Sequence, residues 1–182
     1  MKQTLTVLAL LLASPALAAP LKLEPAAPAP SNLKAGLAVS YAEATVRTLS
    51  EAERAAADAV PGAPLEGLDY WDTEDGMATL TSDRATGVVA VIEGYVRFNA
   101  PGTYTIDFLT NDGLRMSIGG QEVVNADGVR ACDETEAVEA EVPSAGWYKL
   151  EGLYFQRKGT ACLHMRAGIG AAEFMPNAAF GH

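Results

Sequence analysis

Residues Val88 to Ile118, VVAVIEGYVRFNAPGTYTIDFLTNDGLRMSI, carry a strand-turn-strand-turn-strand pattern. Val88, Ala90, Ile92, Val96 and Phe98 fall on one face of its first third and Glu93, Tyr95 and Arg97 on the other, the period of two that a half-buried strand requires. Asn99-Ala100-Pro101-Gly102 interrupts the alternation. Proline presets φ and glycine admits φ > 0, so these four residues predict a tight turn between antiparallel neighbours. Tyr104, Ile106 and Phe108 resume the inward face, with Thr105 and Asp107 opposite. Asn111-Asp112-Gly113 predicts a second turn, Leu114, Met116 and Ile118 a third strand, and Gly119-Gly120 a further turn. Loops this short imply an antiparallel meander rather than a parallel sheet.

The same alternation recurs on both sides of this segment. Downstream, Val123-Val124 reads as a short strand turned by Asn125-Ala126-Asp127-Gly128, and residues 131–136 as an acidic loop. Val138, Ala140 and Val142 then alternate with Glu139 and Glu141. Tyr148, Leu150 and Tyr154 share a face, Lys158-Gly159 predicts a hairpin turn, and Ala161, Leu163 and Met165 point inward, leaving Cys162, His164 and Arg166 outward. Roughly eight short strands with turns about every ten residues describe an all-β chain folded as an antiparallel β-sandwich.

Upstream, Leu37, Val39 and Tyr41 suggest an entry strand. Ser50-Glu51-Ala52-Glu53 has the form of a capping box, predicting one short helical insert near the N-terminus from Glu51 to Val60, closed by Pro61-Gly62. Its alanines favour helix and offer little to pack. Asp69, Asp72, Glu74, Asp75 and Asp83 surround Tyr70 and Trp71, a mixture that reads either as a binding rim or as an acidic loop over the sheet, with the aromatics as core plugs.

The ends of the chain read differently. Lys2, the apolar run Leu5–Leu12 and the small-residue pattern Ala16-Leu17-Ala18 describe a signal peptide over residues 1–18, too short to span a membrane and without a cysteine at the cut to accept a lipid. Residues 19–34, rich in alanine and proline, read as a linker, and residues 35–182 as one domain, long enough to bury a core. No transmembrane segment is expected after signal cleavage. The product is expected in the periplasm or outside the cell, and its net charge of −10 argues against nucleic acid as a partner.

Several short motifs resemble one family. Glu93-Gly94-Tyr95, Pro101-Gly102-Thr103-Tyr104-Thr105 and Thr110-Asn111-Asp112-Gly113-Leu114-Arg115 resemble, in order and spacing, the protective-antigen-type (PA-14) domain, a β-sandwich module of bacterial toxins, glycosidases and fungal adhesins. Ser144-Ala145-Gly146-Trp147-Tyr148, Tyr154-Phe155-Gln156 and Ala161-Cys162-Leu163-His164-Met165 are similar to its late strands. Gly36–Tyr41 is similar to its opening strand and Asp69-Tyr70-Trp71 to its early aromatic segment, so the resemblance covers roughly residues 35 to 180. It implies a glycan-binding module. In carbohydrate-binding members, two consecutive aspartates joined by a cis peptide hold calcium, and the ion binds sugar hydroxyls. Asn111 and Asp112 stand at that place, which makes them the candidate metal site and calcium the candidate cofactor. A late loop completes the site in those members. Here it is Ala167–Glu173, with Glu173 as its charged ligand candidate.

Read without the family, Asn111-Asp112-Gly113 is a plain turn, and Asn125, Asp127 and Asp133 are either an acidic rim, with Asp127 a ligand candidate, or a solvated loop. Cys132 and Cys162, the two cysteines of an exported chain, are expected to form a disulfide, with a pair of free thiols as the alternative. Catalytic constellations are nearly absent: His164 reads as a surface histidine, His182 ends the chain, and the scattered carboxylates leave a glycosidase pair unsupported. The expected function is therefore an exported, non-catalytic binding module for glycans. The alternative is a structural or protein-interaction module of the cell envelope that has lost the calcium and sugar site, with an envelope protein as its partner.

Overall fold

The computed structural model describes residues 19–182; the expected signal peptide lies outside the described residues. In chain order the strands are β1 (Leu21–Lys22), β2 (Ala38–Glu43), β3 (Val60–Pro61), β4 (Asp69–Tyr70), β5 (Val88–Phe98), β6 (Gly102–Thr110), β7 (Gly113–Ile118) and β8 (Gln121–Ala126). They continue as β9 (Asp133–Glu134), β10 (Val138–Val142), β11 (Gly146–Gln156), β12 (Leu163–Gly168), β13 (Glu173–Phe174) and β14 (Phe180–Gly181), with helix α1 (Leu49–Ala55) between β2 and β3. They form two sheets. The first runs β1-β10-β6-β12-β13, with β4 beside β12 and β9 beside β6. The second runs β3-β2-β5-β11-β7-β8, with β14 beside β5.

The alternation read from the sequence is the alternation of the core. Ile92, Val96, Phe98, Leu114, Met116, Ile118, Tyr148, Leu150 and Tyr154 from the second sheet meet Ile106, Phe108, Ala140, Val142, Leu163 and Met165 from the first, all essentially inaccessible. The connectivity is not a meander. β5 pairs with β2 and β11, while β6 pairs with β10 and β12 in the other sheet. The chain between β5 and β6 thus crosses from one sheet to the other, and Asn111-Asp112 carries it back to β7. Lys158-Gly159 likewise joins β11 to β12 across the sandwich instead of closing a hairpin. Only Gly119-Gly120, between Ile118 and Gln121, makes the expected two-residue hairpin within this set. The reason is packing: an arch carries the chain to the opposite sheet and turns the inward faces of its two strands towards each other, whereas a hairpin lays them side by side.

Two N-terminal expectations also change. The helix starts earlier than the Ser50 box implies. Thr48 is the cap, its Oγ1 accepting from the Glu51 amide at 3.2 Å, and Glu51 Oε2 accepts from the Arg47 amide at 2.7 Å. The helix ends at Ala55, continued by a 3-10 turn over Ala56–Asp58. It is not idle, because Leu49 and Ala52 pack with Val46, Val89, Leu153 and Phe155 in a second core on the outer side of the second sheet. The alanine/proline-rich segment is extended, yet it is docked. Leu21–Lys22 pair in parallel with Ala140–Glu141, Leu23 is 2% exposed, and the Glu24 and Ala26 amides donate to Gly119 O at 2.9 Å and Trp147 O at 2.8 Å. The segment therefore bonds to both sheets. Lys34 and His182 exchange backbone hydrogen bonds of 2.7 and 2.9 Å, tying it to the end of the chain.

Candidate functional site

Asn111 and Asp112 sit in the arch between β6 and β7, 3% and 2% exposed. The Asn111 side chain is saturated. Its Oδ1 accepts from the Tyr154 hydroxyl at 2.7 Å and from the Cys162 amide at 2.9 Å, and its Nδ2 donates to Thr160 O at 2.7 Å and to Gln156 Oε1. Burial holds the Tyr154 phenol well above its ordinary value, so it stays a donor. Asp112 adopts φ = +45°, and its carboxylate accepts from the Arg157 amide at 2.7 Å and the Arg130 amide at 3.3 Å. Burial raises its pKa above the ordinary aspartate value, opposed by those two amides and by the Arg157 charge. The pair thereby fastens the loops before β9 and before β12 to the arch. The Cys132–Cys162 disulfide joins the same two loops, with Cα atoms 5.9 Å apart.

The remaining sequence-derived candidates do not gather here. Asp127 Oδ1 accepts from the amides of Leu49 at 2.6 Å and Gly128 at 2.7 Å, so it caps α1 from a distant loop. Asn125 donates to Glu122, and Asp133 Oδ1 accepts from the Glu134 amide. Glu173 is exposed on β13 opposite Ala167, which itself pairs with Ile106, four residues along β6 from Thr110. The late loop therefore leaves from the other end of β12, and the loop that does meet Asn111 is 157–162. Calcium asks for roughly six to eight oxygen ligands. With Asn111 Oδ1 occupied twice, Asp112 inward-facing and Glu173 remote, these residues do not fit that ion. No group of three or more His, Cys, Asp or Glu side chains placed to hold a metal ion occurs among the described residues.

A second cluster was legible only in part, as the binding-rim alternative around Tyr70 and Trp71, because its members lie far apart in sequence. On the outer face of the first sheet, Trp71, His164 and Phe174 bring their rings together, with centroids 4.3 Å apart for Trp71–His164, 5.1 Å for Trp71–Phe174 and 5.5 Å for His164–Phe174. His164 does point outward as its alternation requires, but the two rings cover it completely, so it is no surface histidine. Its Nδ1 lies 3.1 Å from Asp69 Oδ1 and its Nε2 is buried without a partner. Burial lowers its pKa below the ordinary histidine value, opposed by Asp69. Trp71 and Phe174 remain 60% and 44% exposed, so Trp71 is no core plug. Arg166 stands beside them, its guanidinium 5.9 Å from the Phe174 ring centre and bonded to Asp107 at 2.6 Å and Glu134 at 2.9 Å. The binding-rim reading of Asp69, Tyr70 and Trp71 and the outward period of β12 each pointed to part of this site, and neither joined the two parts or reached Phe174.

The sandwich and its arches define a class of β-module, and the comparisons agree on which. Residues 66–171 match the PA14 domain, more than half of the chain, and the protein belongs to that family. The structure superposes on the PA14 domain of the MpAFP antifreeze protein with a TM-score of 0.70 at 15% identity, covering 84% of this chain and 93% of that one. It is similar to the PA14 sugar-binding domain from an RTX adhesin (TM-score 0.62, 18% identity, 81% and 98% covered). It also resembles the Epithelial Adhesin 9 A domain from Candida glabrata, solved in complex with Galβ1-3GlcNAc (TM-score 0.63, 11% identity, 90% and 95% covered). No curated protein sequence matches the chain.

Proposed function

We propose that this protein is an exported, non-catalytic carbohydrate-binding module that works without an ion at Asn111–Asp112. The observation that carries the reading is its PA14 fold, shared over four-fifths or more of the chain with two domains described as sugar-binding or solved with a bound disaccharide. Fold alone does not dictate function, so the reading also leans on the exposed aromatic cluster, the kind of convergent surface that ligands use. Export is supported by the leader pattern of residues 1–18 and by the disulfide, which an oxidising compartment favours. A second reading, a protein-interaction module of the cell envelope, draws on one fact: Asn111 and Asp112, the groups that would hold calcium, are spent on internal hydrogen bonds.

The test is a glycan array probed with the mature protein, once with calcium and once with chelator. Saturable binding to defined glycans in both conditions is the expected result. Binding that vanishes with chelator would restore the ion to the mechanism. A blank array in both conditions would leave the interaction module as the better reading.

A further inference from the structure

Trp71 is exposed although nothing about its backbone is loose. On its N-terminal side Tyr70 pairs with Leu163 and Asp69 with His164 in the β4–β12 ladder. On its C-terminal side the Thr73 amide donates to Ala161 O at 3.1 Å, and Thr73 Oγ1 accepts from the Ala161 amide at 3.0 Å. The indole is thus pinned at both flanks and rests on a histidine that Asp69 orients. Phe174 is held the same way, by Arg166 across β13 and by the Met175 amide donating to Met165 O at 3.0 Å. Two rings held in place and left in water carry a standing hydration penalty that the fold does not relieve internally.

We infer that Trp71, His164 and Phe174 form a sugar-stacking subsite on the outer face of the first sheet, taking one pyranose ring against Trp71 and Phe174 with Asp69 and Arg166 flanking its hydroxyls. This deepens the carbohydrate reading above and rests on it. A pyranose presents C–H groups on its faces and hydroxyls around its edge. The faces suit the electron-rich surface of an indole, and the edge needs a few charged or polar partners at fixed positions. Asp69 supplies a carboxylate whose side chain is 44% exposed, and Arg166 a guanidinium fixed by Asp107 and Glu134. Buried beneath the rings, His164 Nε2 is an acceptor with no partner, because Nδ1 must carry the proton to donate to a carboxylate.

The alternatives suit the face less well. Two exposed rings fall far short of the roughly 800 Å² that each partner contributes to a standard protein interface. Asp69, Glu134 and a net charge of −10 repel an anionic membrane or nucleic acid and leave a neutral polyol unopposed.

The experiment uses the mature protein in chelator, titrated separately with lactose and tri-N-acetylchitotriose, with the two tryptophan indole N–H resonances followed by NMR. Saturation with at least one of the two sugars that shifts the Trp71 indole and leaves Trp147 in place is the expected outcome. Trp71→Ala should then weaken that sugar by roughly tenfold or more without lowering the midpoint of thermal unfolding, and Trp71→Phe should recover part of the affinity. Sugar binding that survives Trp71→Ala and Phe174→Ala would overturn the subsite while leaving the carbohydrate reading intact. If neither sugar shifts Trp71 although the array is positive, the subsite is overturned as well. A blank array removes both.

Discussion

Position 111 demands an amide. Its carbonyl oxygen meets two donors, Tyr154 Oη and Cys162 N, and its nitrogen faces two acceptors, Gln156 Oε1 and Thr160 O. Aspartate would keep the two accepted bonds, lose both donated ones, and set a buried negative charge against two oxygens. Asn111→Asp, the change that recreates a pair of consecutive aspartates, should therefore cost about 2–4 kcal/mol of unfolding free energy, measured by urea denaturation. Calcium should not restore it; a calcium-dependent recovery in the variant would show that the arch can still open towards an ion. Asp112 is constrained otherwise. It sits in the left-handed region, which aspartate tolerates better than most residues, and its carboxylate closes two loop amides. The residue pair was legible in the sequence as a turn or a site. Its inward hydrogen bonds were not, because Tyr154, Gln156 and Cys162 are more than forty positions away.

At the scale of elements, hydrophobic period named the strands well and their partners badly. Val88–Phe98 and Gly102–Thr110 have the inward residues the alternation assigns, yet they belong to different sheets. A period of two reports which side of a strand is dry and is silent on whether the next strand lies beside it or opposite it. The segment 19–34 shows the converse failure. Its composition has no period, but one leucine reaches the core and the backbone bonds to both sheets. Leu23→Ala should destabilise the protein by about 2–4 kcal/mol, as large-to-small changes at closed core sites do, with chemical denaturation as the check. A loss near zero would mean that the strap detaches freely from the sandwich. Helix α1 makes a related point: Thr48 rather than Ser50 is its cap, and Asp127, from a loop nearly eighty residues later, accepts from the adjacent Leu49 amide.

For the molecule as a whole, two buried titrating groups pull stability in opposite directions with pH. The folded state lowers His164 below its ordinary value of 6.5, so as pH falls through that value the unfolded chain takes up a proton that the folded chain resists, and stability is lost. Asp112 is raised above 3.8; between that value and its higher folded one the native state binds more protons, so further acidification relieves the cost of its buried charge. Unfolding free energies measured by urea between pH 7.5 and pH 5.5 should therefore fall for the wild type more than for His164→Phe, which keeps the ring contacts and cannot titrate. Equal slopes would show that His164 is not the group responsible. Over the same molecule the Cys132–Cys162 link, spanning 30 residues, limits the unfolded chain by about 3–4 kcal/mol on the chain-entropy account and shares its loops with the Asn111 hub. The class of fold, the longer strands with their dry faces and the family resemblance were legible from the sequence, and the disulfide was expected from it, because each rests on local period, on cysteine count or on short ordered motifs. Which strands are neighbours, the inward turn of Asn111–Asp112, the distance of Glu173 from it and the meeting of Trp71, His164 and Phe174 come from the folded chain alone. Those are contacts between residues distant along the chain, and they are set by how two sheets bury a common core.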